Sequence, residues 1–147
     1  MGKSPLEKAR AELRDRVDTI EASYEFMLAY AAQGLPGDKT GSSGGQVRDY
    51  LQRSDAALND LVDVYTSLVK QQNLRPAERH LSFGKVLEQD AGNAQAAIQL
   101  VLAQPSISSQ LIDNLNASIH LRALLTDLFL IDEILKLQVG EEKSLTT

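Results

Sequence analysis

The 147-residue chain has no cysteine and no tryptophan, only two histidines and two methionines, and 5 % aromatic residues. Without cysteine there is no disulfide, no thiol nucleophile, no Cys-ligated zinc, no iron–sulfur cluster and no c-type haem attachment. Basic residues are outnumbered as well. Fifteen Lys and Arg against twenty Asp and Glu leave a formal charge of −5. Nucleic acid is disfavoured as a partner, because affinity there comes from neutralising phosphates with cations, and an anionic membrane surface is disfavoured for the same reason. No apolar run reaches the roughly 18 residues that a membrane-spanning helix needs. The opening Met-Gly-Lys-Ser-Pro-Leu-Glu-Lys has no apolar core of signal-peptide type, so a cytoplasmic location is expected. Asn116-Ala117-Ser118 matches a glycosylation sequon, but it falls within a predicted helix with no signal sequence before it.

Proline and glycine are few, and their placement organises the rest. The four prolines are Pro5, Pro36, Pro76 and Pro105, and five of the nine glycines lie between Gly34 and Gly45. Proline suits the first turn of a helix, where its missing N–H would be unpaired anyway. Between these marks run segments with helical apolar spacing, interrupted only by Gly84 and Gly92. Apolar residues make up 43 % of the chain and charged residues 24 %, ordinary for a globular protein. The spacing predicts one all-α domain over 1–147, an antiparallel up-down-up-down four-helix bundle. Its helices are expected at about 5–33, 46–72, 76–103 and 106–139, followed by a polar tail, 141–147.

The first helix has a capping box in Ser4, Pro5 and Glu7, and a seam of Leu6, Leu13, Val17, Ile20, Tyr24, Met27 and Ala31. Gly34-Leu35-Pro36 reads as its stop. The segment from Gly34 to Gly45 is expected to be a flexible loop. Its Gly-Asp-Lys-Thr lacks the spacing of a phosphate-binding loop and follows a helix rather than a strand. The second helix carries Val47, Leu51, Ser54, Leu58, Leu61, Tyr65 and Leu68, and the bonds before Pro76 end it. The third keeps the rhythm with Leu87, Ala91, Ala94, Ile98 and Val101. Gly92 leaves it either continuous or broken near Asp90-Ala91-Gly92-Asn93.

The fourth helix starts after Pro105 with Ser106 or Ser108 as cap, and 11 of the 17 residues from Leu121 to Leu137 are apolar. Leu121, Leu124, Leu128, Ile131 and Leu135 form one stripe; Ile119, Ala123, Leu130, Ile134 and Leu137 form a second. Leu125 and Phe129 fall on a third side, with Arg122, Glu133 and Lys136. A helix apolar nearly all round is usually buried all round. One bundle covers only part of it, so a homo-oligomer, a twofold dimer, is expected, with Leu125 and Phe129 at the interface.

His120 and Asp127 lie between the two stripes, seven residues and about 10 Å apart. With Tyr24, Tyr65 and Asn116 they could line a polar pocket for a small ligand. The other reading is a polar network that fixes helix register. A carboxylate-bridged di-metal site needs Glu-x-x-His on two helices. Ala77 and Ala117 stand three residues before His80 and His120, so no metal or other cofactor is expected.

Glu78-Arg79-His80-Leu81-Ser82-Phe83-Gly84-Lys85 resembles the site of histidine phosphotransfer domains, which are also four-helix bundles. There an exposed histidine is followed four residues later by a small residue with a lysine beside it. The resemblance implies that His80 accepts a phosphoryl group and that Gly84, on the same helix face, leaves room for it. Phe83 stands where the family's lysine usually precedes the glycine. The expected function is therefore binding rather than catalysis: a non-catalytic interaction, regulatory or accessory-subunit protein that self-associates through its last helix. Phosphoryl relay on His80 is the alternative, and a ligand-binding bundle is a third.

Overall fold

The computed structural model describes residues 4–39 and 44–146, with side chains described for residues 4–39 and 45–137. The described residues form six helices and no strand: α1 Pro5–Ala32, α2 Gly44–Leu58, α3 Leu61–Gln72, α4 Ala77–Leu102, α5 Ser109–Ala117 and α6 Ile119–Thr146. The described residues are all-α, as the periodicity predicts. The four unbroken helices expected from the sequence are corrected to six, because the second and the fourth are each divided.

The first division is at Asn59-Asp60. Asp60 adopts the left-handed region, φ 59°, ψ 17°, which Asp tolerates better than most residues. The carbonyls exposed at the end of α2 find donors on other helices. Arg16 of α1 donates to the carbonyls of Ala57 and Asn59. Gln95 of α4 donates to the Asp55 carbonyl at 3.0 Å and to the Asn59 side chain at 2.8 Å. The second division is at Ser118, which is extended (φ −63°, ψ 144°) and accepts the Leu121 N–H on its hydroxyl at 3.3 Å. Ser118 thus caps α6 as a helix start.

Other boundaries follow the sequence more closely. The Ser4–Glu7 capping box forms in both directions, with Pro5 in the first turn. Gly34 takes φ 67°, the glycine stop expected after α1. Ser108, not Ser106, caps α5. The third expected helix is continuous as α4, since Gly92 is solvent-exposed with open space around it and nothing forces a break. The helix of α6 passes Gly140 and takes in the expected polar tail as far as Thr146. Of the Gly-rich loop, residues 40–43 lie outside the described residues.

Buried residues from all six helices make one hydrophobic cluster, with Tyr30, Met27, Leu51, Leu87, Ile98, Ile112, Leu124 and Leu128 at most 1 % exposed. Each such side chain contributes about 1.5–3 kcal/mol relative to exposure. α1 packs against α2, α3 and α5; α4 packs against α2, α3 and α6. Phe26 of α1 stacks on Tyr50 of α2 with centroids 4.5 Å apart.

A polar clasp ties the end of α1 to the α4–α5 connection. The Tyr30 hydroxyl, wholly buried, donates to the Ile107 carbonyl at 2.6 Å. Ser109 donates its hydroxyl proton to the Tyr30 carbonyl at 2.6 Å and accepts the Leu35 N–H at 2.8 Å. Asp38 pairs with Arg48 and accepts the Ile107 N–H at 2.7 Å. Arg48 also donates to the carbonyls of Leu102, at 3.0 Å, and Gln104, at 2.7 Å, past the end of α4. A cation there meets both orphan carbonyls and the negative end of the helix. The Arg48 hydrogen bond holds the Asp38 carboxyl below the ordinary aspartate range.

The Asp38 side chain is 6 % exposed, so Asp38→Ala leaves a half-buried guanidinium without its counter-charge. Thermal melts at pH 7 should show a loss of about 2–4 kcal/mol. The depressed carboxyl stabilises the fold above the ordinary aspartate range. That contribution disappears as pH falls through the depressed value, so the deficit of Asp38→Ala should shrink in acid.

Candidate functional site

The polar residues singled out in the sequence do not converge. Tyr65 is buried on α3, and its hydroxyl lies 3.3 Å from Nδ1 of His80 in the first turn of α4. Burial pushes the Tyr65 hydroxyl up to about 12. It therefore stays protonated and can donate to Nδ1, which leaves the proton of a neutral imidazole on Nε2. Asn116 is buried at the end of α5 and donates to the Met27 carbonyl of α1 at 3.2 Å. Tyr24 is half-buried against the core. His120 is exposed, in the first turn of α6 just after the break at Ser118. The expected line from His120 to Asp127 is therefore corrected. The two residues share a side of α6, but only the level of Asp127 is covered by neighbouring helices.

His80 departs from the geometry that a phosphotransfer site implies. It is half-buried rather than exposed, and one ring nitrogen is engaged by Tyr65. Gly84 is buried, and a Cβ there would stand 3.8 Å from two carbons of the Tyr65 ring. The glycine lets α4 lie close to an aromatic ring of α3; it does not open space around His80.

Asp127 is the interior group with the most perturbed chemistry. It is 8 % exposed, and its Oδ2 has no hydrogen-bond partner. Desolvation by burial, then the neighbouring Asp90 carboxyl of α4, push its carboxyl up to about 7. Two carboxyl groups at one site cannot both ionise cheaply, so the pair keeps a proton toward neutrality. Asp90 was missed in the sequence. Its only signal is a position beside the seam residues Leu87, Ala91 and Ala94. Among the described residues, no group of three or more His, Asp or Glu stands together as metal ligands would.

No family model, no curated protein and no solved structure matches this chain. Nor is any helix among the described residues long and apolar enough to cross a membrane.

Among the described residues, α6 carries four of the seven large exposed apolar side chains; the other three, Leu28, Val86 and Leu100, lie singly on α1 and α4. Ile119 is 75 % exposed, Leu137 61 %, Phe129 54 % and Leu130 48 %. Ile119 and Leu137 stand five helical turns apart on one line, with Leu130 about 20° from it. These are three of the five residues of the second apolar stripe; the other two, Ala123 and Ile134, are half-buried. Leu125, expected at an interface beside Phe129, is 4 % exposed and belongs to the core. Four residues on a helix are about 40° of rotation, enough to separate the buried Leu125 from the exposed Phe129.

The raised Asp127 carboxyl sets a direction for pH dependence. Below the ordinary aspartate range both folded and unfolded chains hold the proton. Between there and about pH 7 only the folded chain does, so stability falls as pH rises through this window. Asp127→Asn should match wild type near pH 4 and exceed its stability by about 1–3 kcal/mol above pH 7. Asp127→Leu should also fold. Melts across pH 4–8 check this; parallel wild-type and Asp127→Asn curves would remove the assigned role of Asp127.

Proposed function

We propose that the chain is a non-catalytic helical-bundle interaction protein, of regulatory or accessory-subunit type, that self-associates through the outer face of α6. The observation that carries this is the stripe of Ile119, Leu130 and Leu137 with Phe129 on its flank, all about half exposed or more. Large apolar groups in a row on one exposed face mark an association surface.

The stripe is self-complementary in a way that favours a second copy as the partner. Laid antiparallel on itself about a twofold axis at the height of residue 128 but on the face opposite the buried Leu128, α6 sets Ile119 of one copy against Leu137 of the other, and Leu130 against Thr126. The same register puts Arg122 beside Glu133 of the second copy, opposite charges at the rim of an apolar contact. An isologous interface requires this exchange of i with j and j with i. The contact would run about 27 Å along the helix.

Sedimentation at about 20 µM should show a dimer. Leu130→Glu, on an exposed position, should give a monomer with unchanged far-UV circular dichroism. Arg122→Glu should weaken the dimer, and adding Glu133→Arg should restore it. A monomeric wild type under these conditions would refute the proposal.

A further inference from the structure

The groove between α1, α3 and α6 points to a second property, on a different side of α6 from the stripe. α1 and α6 both pack on other helices but leave a gap of about 440 Å³ between them. Its floor is largely apolar: Leu13, Val17, Leu68 and Ile131 are each no more than 5 % exposed, with Ala11 and Leu135 beside them and one polar residue, Gln72, which accepts from Arg10 at 3.1 Å. Its edge is cationic. Arg10, Arg14 and Lys136 line the groove with a single carboxylate, Asp132. Asp132 is already shared, 3.1 Å from Arg14 and 3.1 Å from Lys136.

The volume falls in the range of small-molecule sites, about 300–1,000 Å³, and is small for a partner protein's helix. The local excess of cations is notable because the whole chain carries −5. Further along α1 the sign reverses. Glu21 is pushed up by desolvation first, and then by the charges of Asp132 and Asp18. The groove is thus apolar along its floor, cationic toward Arg10 and Lys136, and acidic beyond Arg14.

We infer that this groove binds a single-chain amphiphile with an anionic head, of the long-chain carboxylate class. The head would pair with the cations at the Arg10–Lys136 end, and the alkyl chain would lie over Leu13, Val17 and Ile131. A guanidinium has five N–H donors, so Arg14 can hold Asp132 and a ligand carboxylate together. The acidic residues beyond Arg14 fix the polarity of binding, head away from Asp18 and Glu21. A cationic amphiphile with the same chain meets like charge where its head must sit.

The test uses the whole chain and three probes below their micelle concentrations: dodecanoate, dodecyl sulfonate and dodecyltrimethylammonium. Calorimetry and thermal melts should show both anions binding and raising the melting temperature, and the cation failing to do so. Arg14→Glu, at a side chain 51 % exposed, should weaken dodecanoate binding tenfold or more. Ala11→Phe should fill the groove and abolish binding. Lys136→Glu gives an independent check should either variant fail to fold. Failure of dodecanoate to bind, equal binding of the cationic probe, or full binding by the folded Ala11→Phe and Lys136→Glu variants would overturn the assignment. Leu130→Glu leaves the groove intact, so loss of self-association and loss of amphiphile binding are separable results.

Discussion

A helix that ends inside a protein must dispose of its last carbonyl groups, and this chain depends on how α1 and α4 do so. Their C-terminal ends lie close together, and neither ends in water alone. Tyr30, Asp38, Arg48 and Ser109 satisfy them through one connected set of hydrogen bonds. Buried members are costly to leave unpaired, so the bonds of the set support one another. Once closed, it fixes the start of α5 against the end of α1. That in turn sets where α6 begins.

The two helix breaks have the same logic. At Asn59-Asp60 the chain gives up local hydrogen bonds, and Arg16 and Gln95 replace them from α1 and α4. At Ser118 a hydroxyl restarts the helix as α6. The breaks let short pieces follow the core, and they leave α6 long, with one face on α4 and another outside. The exposed apolar stripe is a consequence of that placement. So is the gap between α1 and α6, which Arg14 and Asp132 span without filling.

The interior polar groups divide into cross-helix pairs and buried atoms left without a partner, Ser54 Oγ, Gln72 Nε2, Asn116 Oδ1 and Asp127 Oδ2. Tyr65 with His80, Asn116 with Met27, and Tyr30 with Ile107 each join two parts of the chain and fix their register. Asp127 also shares its site with the half-buried Asp90 and retains a proton toward neutrality. A leucine there would pack with less electrostatic cost. The pair therefore makes the stability of the α4–α6 contact sensitive to pH.

Local rules were legible in the sequence, because capping and periodicity act within a few residues. The Ser4 capping box, the glycine stop at Gly34 and the core seams could be read directly; that the second apolar stripe of α6 is largely exposed could not. Phe129 as an exposed apolar group was legible too; Leu125 was misread, since a 40° step along a helix crosses from core to surface only once the neighbours are in place. The interruptions at Asn59-Asp60 and Ser118 were not legible, because their replacement donors come from elsewhere: Arg16 and Gln95 stand 43 and 36 residues from Asn59. Nor did spacing reveal that Asp127 meets Asp90, that Gly84 makes room for Tyr65, or that Asp38 in a glycine-rich segment is the buried half of a partly exposed ion pair. Helical identity is set by bonds between near neighbours. Which polar groups share a site is set by the packing of helices distant in sequence, and only the tertiary structure decided it.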